Sequence, residues 1–240
     1  MLYVLSVAMQ KGGVAKTTTA ATLAQAAKSK GQRVLAVDLD PQGNLTFTLG
    51  ANANKAGAFD MLELGIPAKE ILQHCNGLDV IPAGKELATL STSKGSATRL
   101  RRALQPIATN YDFIVIDTPT REGEQLYNAL LASNGLIIPT EADIYNLQSI
   151  YQTIDTAKAM QKANEHLEIL GYILTRADNR TILARQMQEN LSKVGLPCLG
   201  QIRQGIAIKE AAALQVNIYD YAPKSKPAAD YMALYEAITR

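Results

Sequence analysis

The sequence predicts an α/β protein: a single domain over residues 1–240, built as a doubly wound, mostly parallel sheet with helices on both faces. Three observations predict it. Short β-rich apolar runs alternate with longer helical stretches along the chain, the pattern of βαβ units. The strand runs are apolar on both faces, as in a sheet covered on both sides. No Gly/Ser linker, internal repeat or break in composition divides the 240 residues.

Leu2–Ala8 reads as a buried strand and Thr17–Lys30 as an Ala-rich helix stopped by Gly31, a natural residue just past a helix end. Arg33–Asp38 is a second strand with an acidic end, followed by a looser stretch over 43–60. His74 and Cys75 read as a helix end before an Asn76-Gly77 turn, since an adjacent pair lacks the spacing of a metal site. Leu78–Ile81 is a strand closed by Pro82, and Ala97–Thr109 a helix carrying Arg99, Arg101 and Arg102 on a solvated face. Tyr111–Asp117 is the strongest strand and again ends in Asp. Leu126–Ser133, Leu136–Pro139, Leu147–Ala163, Glu168–Thr175, Thr181–Val194 and Cys198–Ile202 continue the alternation, and a helix over Ala228–Ile238 closes it.

Composition narrows the function. Hydrophobic residues make up 47% and charged residues 19%, the balance of an ordinary globular protein. Runs such as Phe113–Ile116 fall far short of the roughly 20 apolar residues of a membrane span. Met1–Met9 lacks the charged start and cleavage site of a signal peptide, so a cytoplasmic location is expected. Two cysteines, Cys75 and Cys198, make no disulfide framework, and two histidines, His74 and His166, make no ligand cluster. The net charge is only +2, but Arg176 to Lys226 holds eight Lys/Arg against four Asp/Glu, so positive charge lies toward the C-terminal end.

In parallel sheets ligands bind at the carboxyl ends of the strands, where Asp38, Asp117 and a Gly-rich stretch all fall. That stretch, Gln10-Lys11-Gly12-Gly13-Val14-Ala15-Lys16-Thr17-Thr18-Thr19, opens directly into a helix. Backbone N–H groups converging on phosphate, a lysine for the β- and γ-phosphates, a hydroxyl for Mg²⁺ and a helix N-terminus together make a nucleotide-phosphate site. Lys16 and Thr17 supply the side chains; Gly12 and Gly13 allow close approach. A plain strand-to-helix turn would explain the glycines but not Lys16-Thr17 at the helix start. The strict G-x-x-x-x-G-K-[ST] pattern is missed, with Gln10 at its first glycine and Ala15 at its second.

Lys11-Gly12-Gly13-Val14-Ala15-Lys16-Thr17-Thr18 resembles the deviant Walker A motif of the ParA/MinD family of P-loop ATPases, with a signature lysine at position 11. Ala15 departs from the family's glycine. Val34–Asn44 resembles its first switch segment, the ParA branch in particular through Asp40-Pro41-Gln42-Gly43-Asn44. Leu78–Gly84 is similar to its DVIPA strand, and Tyr111–Pro119 to its Walker B strand and second switch, where Thr120 replaces a usual second proline. Tyr219–Pro223 with Ala228–Tyr231 resembles its C-terminal pattern.

The resemblance implies binding and slow hydrolysis of MgATP, a homodimer sandwiching two nucleotides, and Lys11 crossing to the partner's phosphates. By it, Lys11 and Lys16 are catalytic with Asp40, which positions or activates the attacking water. Lys11, Gly12, Gly13, Val14, Ala15, Lys16, Thr17 and Thr18 bind phosphate, and Thr175, Arg176 and Pro223 lie near the adenine. Thr17, Asp38 and Asp117 organise Mg²⁺ directly or through water. Within the family the ParA branch implies non-specific binding of double-stranded DNA, with Arg203 and Lys209 in the basic segment, and a ParB-like partner stimulating hydrolysis on the nucleoid. A MinD-like membrane ATPase or a positioner of a protein cargo is the alternative. The last helix, with Glu236 and only one basic residue, reads as packing on the domain rather than as a membrane anchor.

Overall fold

A computed structural model describes residues 2–176 and 182–239. Its sheet has eight strands: β1 Tyr3–Val7, β2 Val34–Asp38, β3 Gln73–Cys75, β4 Leu78–Ile81, β5 Phe113–Asp117, β6 Gly135–Thr140, β7 Glu168–Thr175 and β8 Cys198–Ile202. They lie in the order β3-β4-β2-β5-β1-β6-β7-β8. All neighbours pair parallel except β3 with β4. The helices are α1 Lys16–Ser29, α2 Asn44–Thr48, α3 Ala58–Glu63, α4 Ala68–Ile71, α5 Arg99–Leu104, α6 Glu124–Ala132, α7 Ile144–Gln161, α8 Ile182–Lys193, α9 Ile206–Ala213, α10 Ile218–Tyr221 and α11 Lys226–Ile238.

Alternate strand residues divide between two faces. Leu5, Val7, Val34, Ala36, Phe113, Val115, Ile173 and Ile202 pack under α1 and α11. On the opposite face Leu35, Val37, Ile114 and Ile116 meet α3 to α5, while Leu136, Ile138, Tyr172 and Leu174 meet α6 to α8. Both faces are therefore covered. Gly31, at φ 79°, ends α1, with the Gln32 N–H bonding back to Ala27, so the expected stop is made by a left-handed glycine.

Two segments differ from expectation. His74 and Cys75 belong to β3, not to a helix end. Asn76 and Gly77 both take positive φ, 51° and 77°, the conformation of a two-residue hairpin turn, and such a turn demands a strand on each side. The stretch expected as a continuous helix over 97–109 is α5 flanked by 3₁₀ turns, Ser96–Thr98 and Gln105–Asn110. Pro106 offers no N–H to continue the α-helical ladder.

Candidate active site

β1 runs into the loop 8–15 and then α1, at the carboxyl edge of the sheet. Gly13 and Ala15 both have left-handed backbones, φ 82° and 67°. Ala15 occupies the N-cap of α1 and no side chain caps that helix. Its first-turn N–H groups thus form a cradle for an anion, helped by the helix dipole. Lys16 is buried, and its ammonium donates to the Lys11 carbonyl at 2.9 Å, closing the loop on itself. Burial pulls its pKa down, against the opposing pull of Asp117 and Asp40.

Asp117 and Asp38 end neighbouring strands and are direct register partners, both fully buried. The Thr17 hydroxyl donates to Asp117 Oδ2 at 2.7 Å, and the Thr118 N–H to Oδ1. Asp38 accepts the Thr46 N–H (2.8 Å), the Thr46 hydroxyl (2.7 Å) and the Asp40 N–H (3.1 Å). Burial nevertheless pushes Asp38 up to about 6, and burial together with Asp38's charge pushes Asp117 well above the usual carboxylate range. Desolvated carboxylates beside a hydroxyl form an all-oxygen donor set that a hard divalent cation would neutralise. Among the described residues no group of three or more His, Cys, Asp or Glu could hold a metal alone. Two carboxylates and a hydroxyl fit Mg²⁺, which is bound through one or two carboxylates and completes its octahedron with water and phosphate.

Asp40 lies two residues beyond the β2 end. Its Oδ1 accepts the Gln42 N–H at 3.0 Å, and its carbonyl accepts the Gly43 N–H, so this carboxylate also shapes the turn into α2. Lys11 points elsewhere: its ammonium pairs with Asp143, the N-cap of α7, at 3.4 Å.

A second cleft adjoins the cradle, lined by Ala15, Thr18, Thr175, Arg176, Lys209 and Tyr231 among others. The Thr175 hydroxyl lies 3.3 Å from the Val14 carbonyl and 3.2 Å from that of Thr140, tying β7 to the loop. Arg176, at φ 51°, pairs with Glu141. The lining includes Pro227, in the first turn of α11, and not Pro223. Arg203 borders the same cleft, but Asp230 holds its guanidinium at 2.6 and 2.9 Å and also accepts its N–H. Sequence reasoning placed Lys16, Thr17, Asp38 and Asp117 together. It missed Thr46, Asp143 and Asp230, of which only Asp143 leaves a local signal, an N-cap residue type before a helix.

The AAA_31 family, described as an AAA domain, matches residues 2–169. The chromosome-partitioning ATPase Soj of Thermus thermophilus is 35% identical over 239 residues, covering 98% of this chain and 94% of that protein. The chain belongs to the Soj/ParA family of P-loop ATPases. The sporulation initiation inhibitor protein Soj of Bacillus subtilis is likewise 35% identical, over 98% of this chain and 97% of its own length. A crystal structure of cobyrinic acid a,c-diamide synthase from Mycobacterium smegmatis with ADP and magnesium superposes with a TM-score of 0.86 at 32% identity, covering 100% and 95% of the two chains. This Soj/ParA relative is an ATPase that uses ATP with Mg²⁺.

The geometry of the loop and of the paired carboxylates makes two outcomes testable. A left-handed alanine costs about 1–2 kcal/mol, partly offset by the extra unfolded-state entropy of glycine. Ala15→Gly is expected to stabilise the ligand-free protein by roughly 0.5–1 kcal/mol in urea denaturation.

The second concerns pH. Asp38 rises from 3.8 to about 6 on folding, so between those values the folded state binds more protons than the unfolded state. Stability of the ligand-free protein should therefore be greatest with Asp38 protonated and fall as pH rises through about 6. Denaturation midpoints at about pH 5 and pH 7 should differ less in Asp38→Asn than in the wild type.

Proposed function

We propose that this ATPase binds MgATP in the cradle of loop 8–15, dimerises on it, and in that state binds double-stranded DNA without sequence preference. Together with a ParB-like partner that stimulates hydrolysis, it positions DNA in the cytoplasm, on the nucleoid. The observation that carries the reading is the division of labour between two lysines in one turn: Lys16 faces into its own loop while Lys11 leaves it for α7.

In this reading the N–H groups of residues 12–18 and the Lys16 ammonium bind the phosphates. Thr17, Asp117 and Asp38 hold the ion, which supplies charge neutralisation at the phosphate oxygens. Thr175 and Arg176 border the base, with Pro227 and Tyr231 beside them and Pro223 in the turn that precedes α11. Asp40 orients the attacking water. Phosphoryl transfer asks mainly for positioning and neutralised charge, which these residues are placed to give. Asp40 is also engaged in the turn at Gln42, consistent with slow turnover until a partner rearranges residues 40–43. Lys11 exchanges Asp143 for the phosphates of a second subunit.

Arg203 and Lys209 supply phosphate contacts to DNA, unequally, because Asp230 offsets the charge of Arg203. DNA is favoured over a membrane surface by α11. Its Ala228, Tyr231, Leu234 and Tyr235 are buried against the domain, which leaves the helix little apolar face to insert in lipid. Among the described residues no helix is long and apolar enough to cross a membrane.

Lys16→Ala is expected to abolish nucleotide binding in calorimetry. Fluorescence titration of random-sequence duplex should show binding with ATP and little with ADP, falling steeply with salt. Each phosphate contact contributes about −0.9 to the log–log salt slope, and the dimer carries each residue twice, so Lys209→Ala should flatten it by up to about twice that and Arg203→Ala by less. Equal affinity with ATP and ADP, or co-sedimentation with anionic vesicles in place of DNA binding, would overturn the reading.

A further inference from the structure

Residue 10, immediately before Lys11, sits in a socket made by the middle of α7. The Gln10 N–H donates to Thr153 Oγ1 at 3.1 Å, and the Gln10 side-chain amide donates to Thr156 Oγ1 at 2.8 Å. Both threonines are buried, at 0% and 7% exposure, and three residues apart they share one face of the helix. Threonine is a poor choice for the interior of an 18-residue helix, since its branched side chain loses rotamer freedom there.

The hydroxyl chemistry explains why threonine serves. Thr153 has the Ser149 carbonyl at 2.7 Å, one turn back, and the Met9 Sδ at 3.8 Å to receive its one proton. Thr156 has the Gln152 carbonyl at 3.0 Å and Glu122 Oε1 at 3.5 Å to receive its proton. In each case the nearest acceptor for the proton is a carbonyl of α7 itself, and lone pairs are presented to the N–H groups of Gln10. Valine would match the shape and lose the acceptor.

The socket fixes the chain at residue 10 while Asp143, at the N-cap of the same helix, holds the ammonium of residue 11. α7 thus grips two consecutive residues of the phosphate loop. The Lys11 carbonyl meanwhile accepts Lys16, so the Lys11 backbone belongs to the cradle and only its side chain is directed out.

We propose that Thr153 and Thr156 are positioning residues that aim Lys11 away from its own subunit's nucleotide and toward a second copy of the chain. This rests on the dimer reading above. The hydroxyls touch neither nucleotide nor reacting atoms; they act through Gln10. Their loss should leave each subunit's own cradle intact and weaken the step in which two subunits close on ATP.

The test compares Thr153→Val, Thr156→Val and the corresponding serine variants, which restore a hydroxyl. ADP affinity by calorimetry is expected to stay within about twofold of the wild type. The concentration giving half dimer in saturating MgATP, by light scattering, is expected to rise by about tenfold or more in the valine variants and to return in the serine variants. ATP turnover at low protein concentration should fall and recover as protein concentration is raised, a mass-action signature that mere loosening of the fold does not produce. Gln10→Ala removes the amide that Thr156 holds and leaves α7 untouched, so it should raise the half-dimer concentration in the same way, and it takes the place of Thr156→Val if that variant folds poorly. Valine variants that dimerise like the wild type, ADP affinity that falls in step with dimerisation, or serine variants that fail to recover would each overturn the proposal while leaving the dimer reading standing. A wild type that stays monomeric in MgATP would overturn both.

Discussion

Asp38 and Asp117 stand side by side at the ends of β2 and β5, both wholly removed from water. Two carboxylates so placed repel one another and forfeit hydration, and their raised pKa values express that cost. Much of the surrounding structure reads as an answer to it. Thr46 offers both its N–H and its hydroxyl to Asp38, and Thr17 and Thr118 serve Asp117. Lys16 contributes positive charge to Asp117 at the cost of its own desolvation. These donors moderate the charge without cancelling it, and the remainder is what a divalent cation would neutralise.

Only a parallel sheet delivers this arrangement from separate parts of the chain. In the order β2-β5-β1 the carboxyl ends of three strands meet on one edge, bringing Asp38, Asp117 and the glycine-rich loop together. The apolar runs that drive strand formation therefore also carry polar residues to a common line. The helices on both faces exclude water from the strands and leave that edge as the place where ligands can enter.

This explains what was legible in the sequence. Asp38 and Asp117 ended strong apolar runs, and Lys16-Thr17 opened a helix, so local pattern placed all four. The grip of α7 left no comparable trace. Lys11 meets Asp143 across 132 residues, and Gln10 meets Thr153 and Thr156 across 143 and 146, separations at which composition and periodicity say nothing. The pairing of Arg203 with Asp230 was hidden for the same reason, and it alters how the basic C-terminal region is read, since one of its cations is already matched. Short helices such as α3, α4 and α10, at 6, 4 and 4 residues, are too brief for a helical period to emerge. The β3–β4 hairpin was missed because its turn residues, Asn76 and Gly77, also suit a helix end, and the strand before them, β3, is only 3 residues long, too short to show an alternating pattern.

Two lysines five residues apart in one phosphate loop pose an electrostatic problem of their own. Lys16 takes the interior, where its desolvation is tolerated because Asp117 and Asp40 face it. A second ammonium in the same concavity would add like-charge repulsion in a region of low dielectric, where such terms are largest. Directing Lys11 outward resolves the conflict, and the outward position needs a counter-charge that can be given up. Asp143 meets that need because its pair with Lys11 is a long one, 3.4 Å, between side chains 33% and 44% exposed, and contacts so open to solvent hold weakly. Asp143 also accepts the Tyr145 N–H as the cap of α7, so it retains a partner when the lysine leaves. The backbone beside Lys11 is held by hydrogen bonds to two buried threonines, and its charge by a pair whose side chains are 33% and 44% exposed, the combination expected of a side chain whose base stays fixed while its end changes partners.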